Sequence, residues 1–399
     1  DERTQIGLAI STDGRDFVLY IRADGNTGIG MGHVMRCLAV AEAAADRDSL
    51  HPPVFITADA GGRAMIEDRG IRGIVLGSDY RDMMGELDRL AAVLQEERDA
   101  DGAVLLVDSY QVSCEYYRAI KELDRERSVR VACFEDMGEA YPVDLLINYN
   151  IYAPALERKY AEAGTGRTPA KVLTGVSYMP LRKAFQEPAA YAVRDRVTDV
   201  MITTGGSDPC FAAGALAEAL RSDSAVAGQG IRLHLVSGPF NQYADELKCR
   251  YQDRGDQGCS DGSLTITIHE HVKDMRSLLL QCDVVISATG STIYEVSSLG
   301  VPMIVFYFAE NQRQGAEALE RLTDIVNAGC FAGNAEAVTK RVGTALKRCI
   351  AEKSYRELLH RQESGLIDGK GACRIAEQLS CLAVGGKEHG CREEETTTL

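Results

Sequence analysis

Residue types that can do chemistry gather where this chain passes from strand to helix, and His33 is the first of them. An apolar run at 17–23 leads into Arg22-Ala23-Asp24-Gly25-Asn26-Thr27-Gly28-Ile29-Gly30-Met31-Gly32-His33, followed by a stretch rich in alanine. That is the pattern of a strand, a glycine loop and a helix start. Gly25, Gly28, Gly30 and Gly32 allow a tight path and a close approach of a ligand to the N–H groups at the positive end of the helix. Met35 stands where a third glycine would complete the G-x-G-x-x-G fingerprint begun at Gly30, so the loop is not that fingerprint. A neutral imidazole in this first turn can accept a proton; the position also suits a helix cap or a phosphate contact.

Polar groups recur at other strand ends. Val107-Asp108-Ser109-Tyr110 puts a carboxylate and a phenol at one, where Asp108 serves a site or caps the next helix. Asp24 serves the site or fixes the turn after the first strand. Further on, Thr203-Thr204-Gly205-Gly206-Ser207 closes a strand with a loop whose amides can bind phosphate oxygens. Ser287-Ala288-Thr289-Gly290-Ser291-Thr292 ends another, at a helix start fit for a diphosphate at Gly290, Ser291 and Thr292. Glu295 follows by one turn, reaching ribose hydroxyls or facing solvent. Glu310, Asn311 and Gln312 stand at another loop-to-helix transition, as caps or as sugar contacts.

These groups need a scaffold that brings strand ends together. Strand-like runs at 17–23, 53–57, 73–76, 103–107, 129–134 and 144–148 alternate with helical stretches such as 32–45 and 79–97, and most are continuously apolar, as buried parallel strands are. The rhythm restarts after Asp195, with strands expected at 199–204, 231–237, 264–268, 283–287 and 302–307. The expectation is α/β: two Rossmann-like domains, 17–180 and 195–383, facing across a cleft, with a linker at 177–188 and a polar tail at 384–399. Ligands of such sheets bind at the carboxyl ends of the strands, here the cleft.

Composition excludes several classes. With 399 residues, 45% of them hydrophobic and 26% charged, the chain is globular, and its net charge of −15 speaks against nucleic acid as partner. No apolar run spans a bilayer and residues 1–16 lack the regions of a signal peptide, so a cytoplasmic protein without membrane contact is expected. The 12 cysteines show no zinc spacing and are expected mostly as small buried hydrophobes. No carboxylate cluster has divalent-metal spacing, and neither a metal nor a cofactor is expected. Oligomeric state is left open, a monomer being compatible.

Taken together, Arg22-Ala23-Asp24-Gly25, Gly30-Met31-Gly32-His33-Val34-Met35-Arg36, Gly205-Gly206-Ser207-Asp208-Pro209, Gly290-Ser291-Thr292-Ile293-Tyr294-Glu295 and Glu310-Asn311-Gln312 resemble the UDP-2,4-diacetamido-2,4,6-trideoxy-β-L-altropyranose hydrolases of pseudaminic acid biosynthesis. The similarity runs from about residue 17 to 383 and includes Tyr178-Met179-Pro180-Leu181-Arg182 and Asp368-Gly369-Lys370-Gly371-Ala372. The resemblance implies the glycosyltransferase-B fold, kinship with the transferase of peptidoglycan lipid II synthesis, and UDP held by the C-terminal domain with the sugar facing the N-terminal one. It implies His33 as catalytic histidine, Tyr110 as cleft tyrosine, Glu295 as ribose ligand and Asn311 as sugar or phosphate contact; Asp24 lies in the same loop of the family pattern. Two departures stand out: Glu135-Asp136-Met137 where the family often has two aspartates, and an insertion-like stretch at 79–101 expected to lengthen a helix.

The expected reaction is displacement of UDP from the anomeric carbon by water, with His33 as general base and the glycine loops steadying the departing charge. A transferase of the same fold that passes the sugar to an acceptor is the alternative; a binding protein without catalysis would leave the histidine unexplained.

Overall fold

A computed structural model of the chain describes residues 17–26, 29–46, 51–95, 102–123, 129–164, 168–251 and 264–383; Gly28 and the tail expected at 384–399 lie outside them. The first sheet holds β1 (Phe17–Ala23), β2 (Val54–Thr57), β3 (Arg72–Val75), β4 (Gly102–Asp108), β5 (Arg130–Phe134), β6 (Leu145–Asn148) and β7 (Val172–Thr174). Their order is β3-β2-β1-β4-β5-β6-β7, with every pairing parallel. The second sheet holds β8 (Asp199–Thr203), β9 (Arg232–Ser237), β10 (Thr265–Glu270), β11 (Val284–Ala288), β12 (Met303–Tyr307) and β13 (Val326–Cys330), in the order β10-β9-β8-β11-β12-β13. Both sheets are parallel α/β and doubly wound, as the strand rhythm implies.

In each sheet the winding reverses beside the first strand, between β1 and β4 and between β8 and β11. Loops leaving those strands run to opposite faces and open a crevice at their carboxyl ends. The register sets Ala23 beside Asp108 and Thr203 beside Ser287. Four of the five stretches singled out by their chemistry therefore lie in pairs at the two crevices, and Glu310-Asn311-Gln312 follows β12.

β1 is buried throughout although it carries an arginine. Arg22 is fully buried, held by Asp24 at 2.6 Å and by Glu86 at 2.8 and 2.6 Å, and Tyr116 donates to the same Glu86 at 2.9 Å. This network corrects the helix expected at 79–97. Asp82 accepts from the amide of Gly85 in a turn, a 3₁₀ turn covers Met84–Glu86 and aims Glu86 inward, and the helix spans only Leu87–Leu94. β7 and β13, not expected from the sequence, are a three-residue edge strand and an edge strand carrying Asn327 and Gly329, both weak in strand signal.

The linker is packed. Leu181 and Phe185 are buried, and Arg276 donates to the carbonyls of Ala184, Glu187 and Pro188. Gly369 has φ +75°, and a Cβ there would stand 2.6 Å from the Gln186 carbonyl oxygen; at Gly371 a Cβ would collide with the backbone of Met179. Close approach to the linker thus requires both glycines of Asp368-Gly369-Lys370-Gly371. The helix they introduce, Gly371–Ala383, packs on the first helix (Gly32–Ala45) and on β1, β4 and β5. The unit expected at 195–383 is corrected accordingly: its last helix returns to the first sheet, because its apolar residues Ile375, Ala376 and Leu379 cover that sheet.

The cysteines are also corrected. Cys37, Cys133, Cys282 and Cys349 are buried, but Cys249, Cys373 and Cys381 are exposed, since they sit on the outward sides of amphipathic helices. Among the described residues no helix is long and apolar enough to cross a membrane.

Candidate active site at the domain interface

His33 lies in the first turn of the helix Gly32–Ala45 and is buried. The loop before it is shaped by two glycines with different tasks. Gly30 takes φ +76° and donates to the Asn26 carbonyl at 2.8 Å, a left-handed turn; at Gly25 a Cβ would press on Met31 and Val34 at 2.8 Å. The Gly30 amide is thereby spent within the loop, while Gly32 is exposed with open space beside it.

The imidazole meets Asp108 from the end of β4, Nδ1 to Oδ1 at 2.7 Å. Asp108 does not cap the following helix, whose Tyr116 amide is instead taken by Ser113. Arg36, one turn after His33 on the same helix face, donates through Nε to Asp108 Oδ2 and through a terminal nitrogen to Oδ1, each at 2.5 Å. Burial alone would raise the Asp108 carboxyl, but the Arg36 guanidinium and then His33 hold it well below the usual carboxylate range. An ionised carboxylate only accepts, so Nδ1 carries the hydrogen, and in the neutral ring Nε2, the other ring nitrogen, keeps a lone pair. Arg36 also approaches Nδ1 at 3.1 Å; with the hydrogen on Nδ1 that is a close approach of two donors toward one acceptor.

The rest of the Arg36 guanidinium is fully used. It donates to Asp136 at 2.9 Å and to Tyr149 Oη at 2.7 Å, and lies 5.2 Å from the ring centre of Phe134 and 5.4 Å from that of Tyr149. Tyr110 stands edge-on to His33 with ring centres 4.6 Å apart, donates to Asp136 at 3.1 Å, and is 51% exposed. Met137, next to Asp136, is exposed as well. Arg36 and Asp136 stand in stretches quoted from the sequence but were given no site role there, and Tyr149 was not singled out. For Arg36 the spacing of three from His33 was a usable signal; Asp136 and Tyr149 join only through the sheet order.

Asp24 is not brought to His33. Its Oδ2 takes Arg22 and its Oδ1 takes the amide of Ala58 at 2.7 Å, both buried, so it anchors the loop after β1. That is the turn-fixing use its sequence position allowed.

In the second domain the two phosphate-loop candidates differ. Helix Ala212–Ser222 behind Gly205-Gly206-Ser207 has its amide end filled, for Asp208 accepts from Ala212 at 2.8 Å and Ala213 at 3.0 Å. Gly205 takes φ +80°, its amide reaches Thr203 Oγ1 at 3.3 Å, and Gly206 and Ser207 are exposed. Helix Thr292–Leu299 has no side-chain cap at Ser291, Gly290 has open space around it, and Gly290 and Ser291 are exposed. Its first amides are open to an acceptor from outside.

Glu295 accepts from Arg182 Nε of the linker at 2.6 Å. Gln312 turns its side-chain carbonyl back to the Phe308 amide at 2.9 Å, and Thr289 donates to the Gln312 backbone carbonyl at 3.2 Å, which ties the loops after β11 and β12. The side chain of Asn311 lies outside the described residues. Among the described residues no group of His, Cys, Asp or Glu is arranged to hold a metal ion.

With this geometry in place, comparison with known proteins narrows the class. Residues 200–377 match the glycosyltransferase family 28 C-terminal domain. The matched stretch contains both phosphate-loop candidates and Glu295. The chain is 24% identical over 373 residues to the spore coat polysaccharide biosynthesis protein SpsG of Bacillus subtilis, covering 91% of this chain and 97% of that one. It is 26% identical over 192 residues to the UDP-2,4-diacetamido-2,4,6-trideoxy-beta-L-altropyranose hydrolase of Campylobacter jejuni, covering 48% and 61%. The chain spans 57% and 61% of the length of two of the curated relatives it matches. Among solved structures it resembles MurG of Acinetobacter baumannii, with 14% identity, a TM-score of 0.60 and coverage of 92% and 99%. The two α/β domains thus adopt the glycosyltransferase-B fold.

Proposed function

We propose that the chain is a UDP-sugar hydrolase that cleaves the bond between the anomeric carbon and the diphosphate. The observation that carries this reading is the Asp108–His33 pair, which directs Nδ1 to the carboxylate and leaves Nε2 as a proton acceptor in the first domain, while the second offers the uncapped helix end at Ser291 and Thr292. Water gives a proton to Nε2 as its oxygen bonds to the anomeric carbon, and the carbon–oxygen bond to UDP breaks with its electron pair leaving on the diphosphate. Asp108, held by Arg36, stabilises the imidazolium that forms. The diphosphate settles on the amides of Ser291 and Thr292, with Gly206 and Ser207 close to the crevice on the β8 side, and Glu295 takes the ribose. Tyr110 and Asp136 face the sugar beside His33.

The partial identity to the Campylobacter hydrolase supports its substrate, UDP-2,4-diacetamido-2,4,6-trideoxy-β-L-altropyranose, as the first compound to test. A second reading, transfer of the sugar to an acceptor hydroxyl, is favoured by the match to the family 28 domain. The two separate in one assay. Incubation with that nucleotide-sugar and no acceptor yields rapid UDP release from a hydrolase, and release that waits for an acceptor from a transferase. His33→Asn abolishes the release in either case while UDP still binds; near-normal turnover in that variant would reduce His33 to a helix-start residue.

A further inference from the structure

We infer that Tyr294 is a positioning residue that ties the diphosphate seat to the His33 imidazole; this rests on reading the helix end at Ser291 and Thr292 as that seat. Tyr294 lies in the first turn of the helix Thr292–Leu299, yet its hydroxyl is bound entirely by the other domain. It donates to Asn150 Oδ1 at 3.2 Å and accepts from the Ile151 amide at 3.3 Å. The side chain is buried, so a tyrosine there is kept for a partner that a phenylalanine lacks. Asn150 is itself fixed, its amide nitrogen donating to Asn148 Oδ1 at 2.9 Å.

From Tyr294 the contacts run unbroken to the imidazole. Its ring meets Tyr149 edge-on with centres 6.1 Å apart, and Tyr149 Oη accepts from Arg36. Arg36 grips both oxygens of Asp108, and Asp108 holds His33 Nδ1. Tyr294, Tyr149, Asp108 and His33 are all buried, leaving little room for one to move without the next. The neighbouring Glu295 grips Arg182 of the linker, so consecutive residues of this first turn hold two other parts of the chain. A diphosphate that settles on the helix end therefore acts on an element already joined to Asp108, and the general base is aligned when the nucleotide is in place.

The test follows His33 itself as well as turnover. The ring nitrogens of His33 are observed by NMR, assigned by comparison with His33→Asn, in the wild type, Tyr294→Phe and Asn150→Ala, each with and without UDP. The expected result is that UDP shifts the His33 ring signals in the wild type and not in the two variants, although both bind UDP within about threefold of the wild type. Turnover of the UDP-sugar falls about tenfold with KM little changed, and the double variant is no worse than either single one. An unchanged UDP response of His33 in Tyr294→Phe overturns the inference, as does a loss of UDP affinity that accounts for the loss of turnover. Wild-type protein that binds UDP without hydrolysing the sugar overturns the hydrolase reading alone, and the NMR comparison still decides the role of Tyr294. Failure of the wild type to bind UDP overturns both.

Discussion

Arg36 and His33 share one carboxylate: Asp108 Oδ1 receives the imidazole Nδ1 at 2.7 Å and an Arg36 terminal nitrogen at 2.5 Å, while Arg36 Nε closes on Oδ2. The guanidinium keeps the carboxylate ionised and fixed in plane, and the fixed carboxylate selects the ring nitrogen that carries hydrogen. Asp108→Asn keeps the volume but offers an N–H donor where an acceptor stood. The expected result is a fall in turnover of about 10²- to 10⁴-fold with UDP affinity preserved, because the hydrogen moves to Nε2 and the base is lost. Steady-state kinetics beside UDP titration calorimetry checks this; retained turnover would remove Asp108 from the mechanism.

Glu295 accepts from Arg182 through one oxygen, and on the proposed reading the other takes a ribose hydroxyl. Glu295→Ala is expected to weaken UDP binding by about 1–3 kcal/mol, the range for a hydrogen bond to a charged group. Arg182→Ala should weaken it less, since it only orients the carboxylate. Calorimetry that finds UDP affinity unchanged in Glu295→Ala would end the ribose assignment.

The parallel sheets were legible because β1, β4, β8 and β11 are largely buried and read as mainly apolar runs, and the loops after them carry glycines and hydroxyls. From this the pairing of His33 with the end of β4 could be anticipated as a shared crevice, though not as a hydrogen bond. Asp24 was harder, since an aspartate two residues after a buried arginine serves equally a turn, a site or an ion pair, and only the inward aim of Glu86 decides among them. Asp208 shows the same limit. Its position after Gly205-Gly206-Ser207 looks like part of a phosphate loop, but its carboxylate fills the helix end that a phosphate would need. The return of the Gly371–Ala383 helix to the first sheet has no local signature, because its apolar stripe fits either sheet.

Glu363 makes a separate prediction about stability. It is fully buried; Oε1 accepts from the Met303 amide at 3.1 Å, and Oε2 has no hydrogen-bond partner among the described residues. Burial raises its carboxyl well above the ordinary value, and the Met303 hydrogen bond offsets only part of that. In the unfolded chain the group ionises near about pH 4.3, so above that pH the unfolded state sheds its proton first and folding loses stability as pH rises. Glu363→Gln cannot ionise. Its melting temperature should match the wild type near about pH 4 and exceed it increasingly toward about pH 8; parallel melting curves at all pH values would show that Glu363 does not titrate on unfolding.

The bond that breaks is the last point the geometry bears on. On the proposed reading the proton acceptor is His33, on the helix that follows β1 of the first sheet, and the diphosphate seat is the uncapped helix end at Ser291 and Thr292, which follows β11 of the second, so base and seat are on different domains. Water activated by His33 then reaches the sugar from the side away from the diphosphate. Attack from there is in line with the departing oxygen, splits the bond between carbon and oxygen, and inverts the anomeric centre. Attack at phosphorus would need the base beside Ser291 and Thr292, where the near carboxylate, Glu295, is already paired with Arg182. Hydrolysis in ¹⁸O-labelled water separates the two routes: label is expected in the anomeric hydroxyl of the released sugar and none in UDP. Label in UDP would place the nucleophile at the phosphate and leave His33 as a contact to the substrate, with Asp108 and Arg36 serving only to hold it there.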